Sequence, residues 1–121
     1  LLGENHPYVA TTYINIGNVL QNLKKPPEAL DSYQKSLDIR LSLFGENHPD
    51  VATTYNNIGM ALQALKKPYE ALDSYRKARD IISLFGGNDH KVAMSYNNIG
   101  LVLQRIGTVR ETLDAFQKAL D

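Results

Sequence analysis

Asparagine side chains at a fixed spacing are the clearest candidates for chemistry in this sequence. Asn15, Asn57 and Asn98 stand in the segments YINIG, YNNIG and YNNIG, one copy every 41 or 42 residues. A primary amide carries hydrogen-bond donors and an acceptor on one group. A column of these three residues, which we call the asparagine series, could therefore pair with both the N–H and the C=O groups of an extended peptide backbone.

The three histidines are the other residues that could do chemistry, as metal ligands or general bases. His6 and His48 each precede a proline at the same place in two similar segments, and His90 is displaced by one residue. A role in capping or loop structure is the simpler interpretation. The chain has no cysteine, which excludes disulfides, thiolate zinc sites and cysteine nucleophiles. No phosphate-binding loop, nucleophile elbow or metal-binding helix motif is present, so we expect no enzyme activity, metal or cofactor.

Charge and hydropathy limit the classes of partner. Thirteen basic and thirteen acidic residues cancel, which removes the electrostatic argument for nucleic acid or an anionic membrane surface. The uncharged runs contain too many amides and hydroxyls for a membrane span. We expect a cytoplasmic protein whose partner is a protein or peptide. The chain opens on Leu1 rather than methionine, so its start carries no information on targeting.

The chain is organised as three repeats. A shift of 42 residues places residues 3–39 on 45–81 with 28 identities in 37 positions, and a shift of 41 places 45–80 on 86–121 with 17 in 36. The first two repeats are thus close copies, and the third is diverged enough to show what the unit retains. The predicted repeats span 3–44, 45–85 and 86–121.

Each repeat has the pattern of two helices, which we call helix A and helix B. Helix A is expected to start at Pro7 and Pro49, after an Asn or His cap, with Asp89 at the cap in the third repeat. Lysines followed by proline, or Gly107, are expected to end it. Helix A has apolar residues at three- and four-residue steps: Val9, Tyr13, Ile16, Leu20 and Leu23, then Val51, Tyr55, Ile58, Leu62 and Leu65, then Val92, Tyr96, Ile99, Leu103 and Ile106. Helix B has a similar line: Ala29, Leu30, Tyr33 and Leu37, then Ala71, Leu72, Tyr75 and Ala78, then Leu113, Phe116, Ala119 and Leu120.

Hairpins of this size bury their apolar faces only by stacking on one another, which predicts a solenoid. The order of residues in each unit resembles the tetratricopeptide repeat: Tyr13, Ile16, Gly17, Leu20, Ala29, Tyr33 and Ser36; Tyr55, Ile58, Gly59, Leu62, Ala71, Tyr75 and Ala78; Tyr96, Ile99, Gly100, Leu103, Thr112, Phe116 and Ala119. Thr112 departs from the pattern. The long period and the GENHPDVA and YNNIG segments are more similar to the kinesin light chain subclass. The resemblance implies one all-α domain over 1–121, a right-handed superhelical solenoid of three antiparallel helix-turn-helix hairpins.

Helix A is nearly free of charge, although it carries many polar residues. Residues 8–22 and 51–65 contain no charged residue, and 92–106 contains only Arg105. The resemblance implies that helices A line a concave groove in which such proteins hold extended peptides. The expected peptide-binding residues are Asn15, Asn18, Asn56, Asn57, Met60, Gln63, Asn97, Asn98, Leu101 and Arg105. Ile14 and Met94 are expected to add side-chain specificity, and the single cation Arg105 favours a mixed or mildly acidic peptide.

Two other interpretations of these amides remain open: a solvated surface, or bonds to the adjacent repeat that fix its register. The repeated Gln21, Gln63 and Gln104 fit either role equally. The carboxylate clamp with which some members of the family bind acidic chaperone tails needs cations on helix A. Here Ile14, Met94 and Asn98 stand at those positions, so chaperone-tail binding is not expected.

A second hypothesis is self-assembly. Leu1 and Leu2 resemble the end of a preceding helix B, and no polar capping helix follows the third repeat. Exposed apolar ends could make homo-oligomers by stacking. In a third hypothesis, the repeats regulate an enzyme domain carried elsewhere in a longer protein.

Overall fold

The computed structural model shows helical hairpins stacked side by side. It describes residues 6–85, 90–107 and 109–121. The helices are α1 Pro7–Asn22, α2 Pro26–Phe44, α3 Pro49–Ala64, α4 Pro68–Ser83, α5 His90–Ile106 and α6 Val109–Leu120. Helices A are α1, α3 and α5, and helices B are α2, α4 and α6. The described ranges contain no strand, which confirms the predicted all-α repeat fold.

The first two helices A begin at a histidine cap followed by proline. Nδ1 of His6 accepts a hydrogen bond from the N–H of Tyr8, and Nδ1 of His48 accepts one from the N–H of Asp50, both at 3.0 Å. These bonds satisfy amide groups that the first turn of a helix leaves unpaired. The predicted cap at Asp89 lies outside the described residues.

Lysine takes an unusual backbone conformation where helix A turns into helix B. Lys24 and Lys66 have φ values of 60° and 62°, and Gly107 at the same place in the third repeat has φ 90°. The N–H of Lys67 donates to the carbonyl of Leu62 over 2.9 Å, and that of Lys66 donates to Gln63 over 3.0 Å. This is the Schellman arrangement, in which the left-handed position favours glycine.

Each helix A packs on the helix B of its own hairpin, and each of the first two helices B packs on the next helix A. Glycine on helix A permits the close packing of helix A on helix B within a hairpin. A Cβ atom added to Gly59 would lie 2.6 Å from the ring of Tyr75, and one added to Gly100 would lie 2.5 Å from the ring of Phe116. These glycines therefore mark close approaches between helix A and helix B, and the approaching group is an aromatic ring of the same hairpin.

Several residues of the predicted apolar lines are exposed in the outermost helices. Ile16 is 43% exposed, whereas its counterpart Ile58 in α3 is 2% exposed. The same face of α3 packs against a preceding helix B, and α1 has no such neighbour in the described chain. Leu23 at the end of α1, and Leu113 and Leu120 on α6, are exposed for the corresponding reason. These four residues therefore continue the apolar lines of their helices without being buried in the described chain.

The charged face of helix B also stabilises helix A. Lys77 pairs with Asp73 at 3.1 Å, as the four-residue spacing predicts. Its Nζ also lies 5.6 Å from the ring centre of Tyr55 on α3, within the range of a cation–π contact. The other two repeats contain the same acid–lysine pair and the same lysine–tyrosine contact.

Candidate functional site

One face of each helix A is left uncovered and is almost uncharged. Residues spaced four, three and four apart share one side of a helix, and here they form what we call the exposed stripe. Its members are Thr11, Asn15, Asn18 and Asn22 on α1, Thr53, Asn57, Met60 and Ala64 on α3, and Met94, Asn98, Leu101 and Arg105 on α5. Asn57 and Asn98 are half-buried and the others are exposed. Arg105 is the one charged member.

The asparagine series occupies the same place in this stripe on all three helices A. Within the described part of the chain, none of its three amides makes a side-chain hydrogen bond to another residue. Bonds that fix the register of adjacent repeats would need such partners. The donors and acceptors of these amides are therefore unused among the described residues.

The position just before the asparagine series differs in burial between the three repeats. Ile14 is buried and belongs to the hydrophobic core, so the prediction that it lines the groove is wrong. Its counterpart Asn56 is half-buried, with Oδ1 inaccessible and without a hydrogen-bond partner, and Asn97 is exposed. These two asparagines lie beside the exposed stripe rather than on it.

Two of the predicted groove amides hold buried tyrosines. The hydroxyl of Tyr33 donates to Oδ1 of Asn18, and that of Tyr75 donates to Oε1 of Gln63, each over 2.6 Å. Met60 stands in α3 where α1 has Asn18, so Tyr75 bonds one turn further along. Burial raises the pKa of both hydroxyls, which keeps them protonated as donors.

A cavity opens where the second and third repeats meet. It has a volume of about 310 Å³ and is lined by Gln63, Lys66, Pro68 and Arg105. Arg105 makes no ion pair with any described residue. Its positive charge acts on the hydroxyl of Tyr75, where it opposes the rise in pKa that burial causes. The sequence predicted Gln63 and Arg105 separately and gave no sign of the cavity that joins them.

The described residues provide no metal centre. No three His, Asp or Glu side chains in these ranges lie close enough to hold a metal ion, and His6 and His48 use Nδ1 as caps. No helix in the same ranges is long and apolar enough to cross a membrane.

Comparison with known proteins agrees with this geometry. The family model of the tetratricopeptide repeat matches residues 8–82 and 50–121. The chain belongs to the tetratricopeptide repeat family. Tetratricopeptide repeats generally serve as protein–protein interaction scaffolds and are generally not enzymes. No curated protein matches the chain at a significant level.

Solved structures show the same tetratricopeptide fold. BtubC (BKLC) from P. vanneervenii has a TM-score of 0.90 and 24% identity, over 96% of this chain and 47% of that one. A putative kinesin light chain from Podosopora anserina with nearly identical repeats has a TM-score of 0.83 and 16% identity, over 94% and 55%. The TPR domain of Arabidopsis FLU has a TM-score of 0.80 and 17% identity, over 92% and 91%.

These neighbours support the predicted similarity to kinesin light chain repeats. The chain spans about half the length of BtubC and of the putative kinesin light chain.

Proposed function

We propose that the exposed stripe binds an extended peptide, with the asparagine series pairing with the peptide backbone. The observation that carries this proposal is that three equivalent amides, one on each helix A, have no hydrogen-bond partner among the described residues. A side-chain amide that bonds to a peptide backbone satisfies both a donor and an acceptor of the ligand. Repetition of that contact at each hairpin suits an extended chain lying across the repeats.

The apolar members of the exposed stripe would select among peptides. Met60, Met94 and Leu101 are each about half exposed, at 48%, 49% and 51%. They alternate along α3 and α5 with the asparagine series. Methionine adapts its shape to different apolar partners, so we expect tolerance of several apolar side chains rather than one fixed residue.

A peptide display screen on the purified chain tests the proposal. The variant Asn15→Ala/Asn57→Ala/Asn98→Ala should lose the selected peptides and keep its melting temperature. Asn57→Ala alone should weaken binding by about 1–3 kcal/mol. The matched control is Gln34→Ala/Gln117→Ala, which removes two exposed amides from helices B and should leave binding unchanged. A large drop in melting temperature in the asparagine variants would indicate the register role instead.

End-to-end association is a second candidate. Val19 on α1 is 57% exposed, whereas its counterparts Ala61 and Val102 are fully buried against a preceding helix B. On α6, Val109 is 80% exposed. Either surface could bind a further hairpin of the same kind. Light scattering over a dilution series distinguishes the two functions. Association predicts that the average molecular mass increases with protein concentration, that Val19→Glu abolishes this increase, and that no peptide binds. A cytoplasmic location stays a prediction.

A further inference from the structure

The cavity at the junction of the second and third repeats presents donors and positive charge. Gln63 Oε1 already accepts a hydrogen bond from Tyr75, so the amide nitrogen is the group left without a described partner. Arg105 adds a guanidinium and Lys66 adds an ammonium group. These groups donate hydrogen bonds and accept none.

The net charge at this cavity remains positive after the partial charges of the helix ends are included. Helix α3 ends at Ala64 and helix α5 ends at Ile106, and each carboxyl end contributes about half a negative charge, whereas α4 begins at Pro68 in the cavity lining and its amino end contributes about half a positive charge. With the two unit charges of Arg105 and Lys66, the net charge is therefore positive, at about one to two units. No carboxylate of the described residues pairs with either cation. A negatively charged group on a ligand suits this balance.

We infer that this cavity binds a carboxylate of the peptide held by the exposed stripe, with Arg105 and Lys66 as its charged partners. The inference rests on the proposed function. Arg105 belongs to the same stripe as Asn98 and lies seven residues, or about 10 Å, further along α5. About three residues of an extended peptide span that distance. A guanidinium fork matches the two oxygens of a carboxylate. The carboxylate would fix the peptide's register, which repeated backbone contacts alone leave free.

The first junction of the solenoid provides an internal control. Gln21, Lys24 and Pro26 stand where the second junction has Gln63, Lys66 and Pro68, and Lys24 has the same left-handed backbone. Ala64 takes the place of Arg105, and Tyr33 bonds to Asn18 rather than to the glutamine. We therefore expect carboxylate binding at the second junction only.

A titration with small probes tests the site without a peptide. N-acetyl-aspartic acid amide carries the carboxylate, N-acetyl-asparagine amide is its neutral counterpart, and N-acetylglycine carries a chain-terminal carboxylate. In NMR spectra of the 121-residue chain, we expect the side-chain signals of Gln63 and Arg105 to shift saturably with a carboxylate probe and not with the neutral one. The acid that binds more tightly identifies the source as a side chain or a chain end.

Variants decide which cations are responsible. Arg105→Gln should weaken binding of the carboxylate probe at least about tenfold, and Lys24→Gln should leave it unchanged. Equal shifts with the acidic and neutral probes, or equal affinity in Arg105→Gln and the original chain, would overturn the inference. The asparagine triple variant should still bind the carboxylate probe. If it loses peptides but keeps the probe, both proposals stand; if peptides bind and the probe does not, only the carboxylate site is rejected.

Discussion

The hydroxyl of Tyr75 on α4 donates a 2.6 Å hydrogen bond to Oε1 of Gln63 on α3. The first repeat makes the corresponding bond from Tyr33 to Asn18, and the third has Phe116, which needs no acceptor. Amides of helix A thus divide into two groups. Asn18 and Gln63 satisfy buried hydroxyls of their own hairpin, whereas the asparagine series makes no such hydrogen bond among the described residues.

Removal of this hydrogen bond should change the dependence of stability on pH. Burial raises the pKa of Tyr75 above its ordinary value of 10.0, so the folded chain keeps the proton where the unfolded chain loses it. The stability from this group is complete below about pH 10 and falls as the pH rises above that value.

We expect Tyr75→Phe to cost about 0.5–1.5 kcal/mol at neutral pH and to reduce the loss of stability at alkaline pH. Urea unfolding at about pH 8 and pH 11 measures both effects. Tyr69→Phe is the control, since Tyr69 is 71% exposed, and it should match the original chain at both pH values. An unchanged alkaline loss in Tyr75→Phe would contradict the assignment.

Gly59 should not tolerate a side chain. Alanine would gain about 1 kcal/mol of helix propensity, but its Cβ would lie 2.6 Å from the ring of Tyr75, which is itself 1% exposed. Overpacking of this kind costs about 1–3 kcal/mol, so we expect Gly59→Ala to lower the free energy of unfolding. Met60→Ala, at the exposed neighbouring position, should change it by less than about 0.5 kcal/mol. Equal stability of Gly59→Ala and the original chain would show that the ring moves freely.

Lys66→Gly should stabilise the chain. A left-handed conformation costs a side-chain-bearing residue about 1–2 kcal/mol, and the lower backbone entropy of lysine in the unfolded chain offsets part of this. We expect a gain of about 0.5–1 kcal/mol in thermal or urea unfolding. Lys67 has φ −116°, so Lys67→Gly should destabilise. Loss of stability in both variants would contradict the backbone argument.

Arg40 connects three helices through hydrogen bonds, and two substitutions at this position should differ in their effect on stability. It is 9% exposed, and its guanidinium donates to Oγ1 of Thr54 over 2.8 Å, to the carbonyl of Asp50 over 3.2 Å and to Oγ1 of Thr11 over 3.5 Å. The hydroxyl of Thr54 also donates to the Asp50 carbonyl, so both stay satisfied without the arginine. Ile82 occupies the equivalent position in the second repeat.

We therefore expect Arg40→Ile to change the free energy of unfolding by less than about 1 kcal/mol, whereas Arg40→Ala, which leaves a cavity, should cost about 2–4 kcal/mol. Chemical denaturation of the two variants provides the comparison. Equal losses would mean that the hydrogen bonds, and not the buried volume, are what the fold requires.

The repeat pattern in the sequence predicted the helices because spacing and caps are local properties. The prolines at the helix starts and the glycines opposite aromatic rings follow directly from residue type. Burial at the ends of the solenoid does not follow from residue type. Ile16 and Ile58 are the same residue in nearly the same segment, and they differ only in whether a helix B precedes them in the described chain. Ile14 was misplaced because its position in the repeat, which Asn56 and Asn97 occupy elsewhere, is buried in the first repeat.

The site was predictable in part. The asparagine series and Arg105 stood out as polar residues at regular positions in an uncharged helix. The cavity could not be predicted, because Gln63 and Lys66 come from one repeat and Arg105 comes from the next. Only the stacking of the repeats brings them together. The changes from Asn18 to Met60 and from Tyr75 to Phe116 were the sequence signals that the amides of successive helices A have different partners.

Peptide binding by the asparagine series is the central claim, and isothermal titration of one display-selected peptide tests it most directly. The chain is compared with Asn15→Ala/Asn57→Ala/Asn98→Ala and with Gln34→Ala/Gln117→Ala. The account predicts that the asparagine variant loses binding at an unchanged melting temperature, while the glutamine variant binds like the original chain. Equal affinity in all three would contradict it.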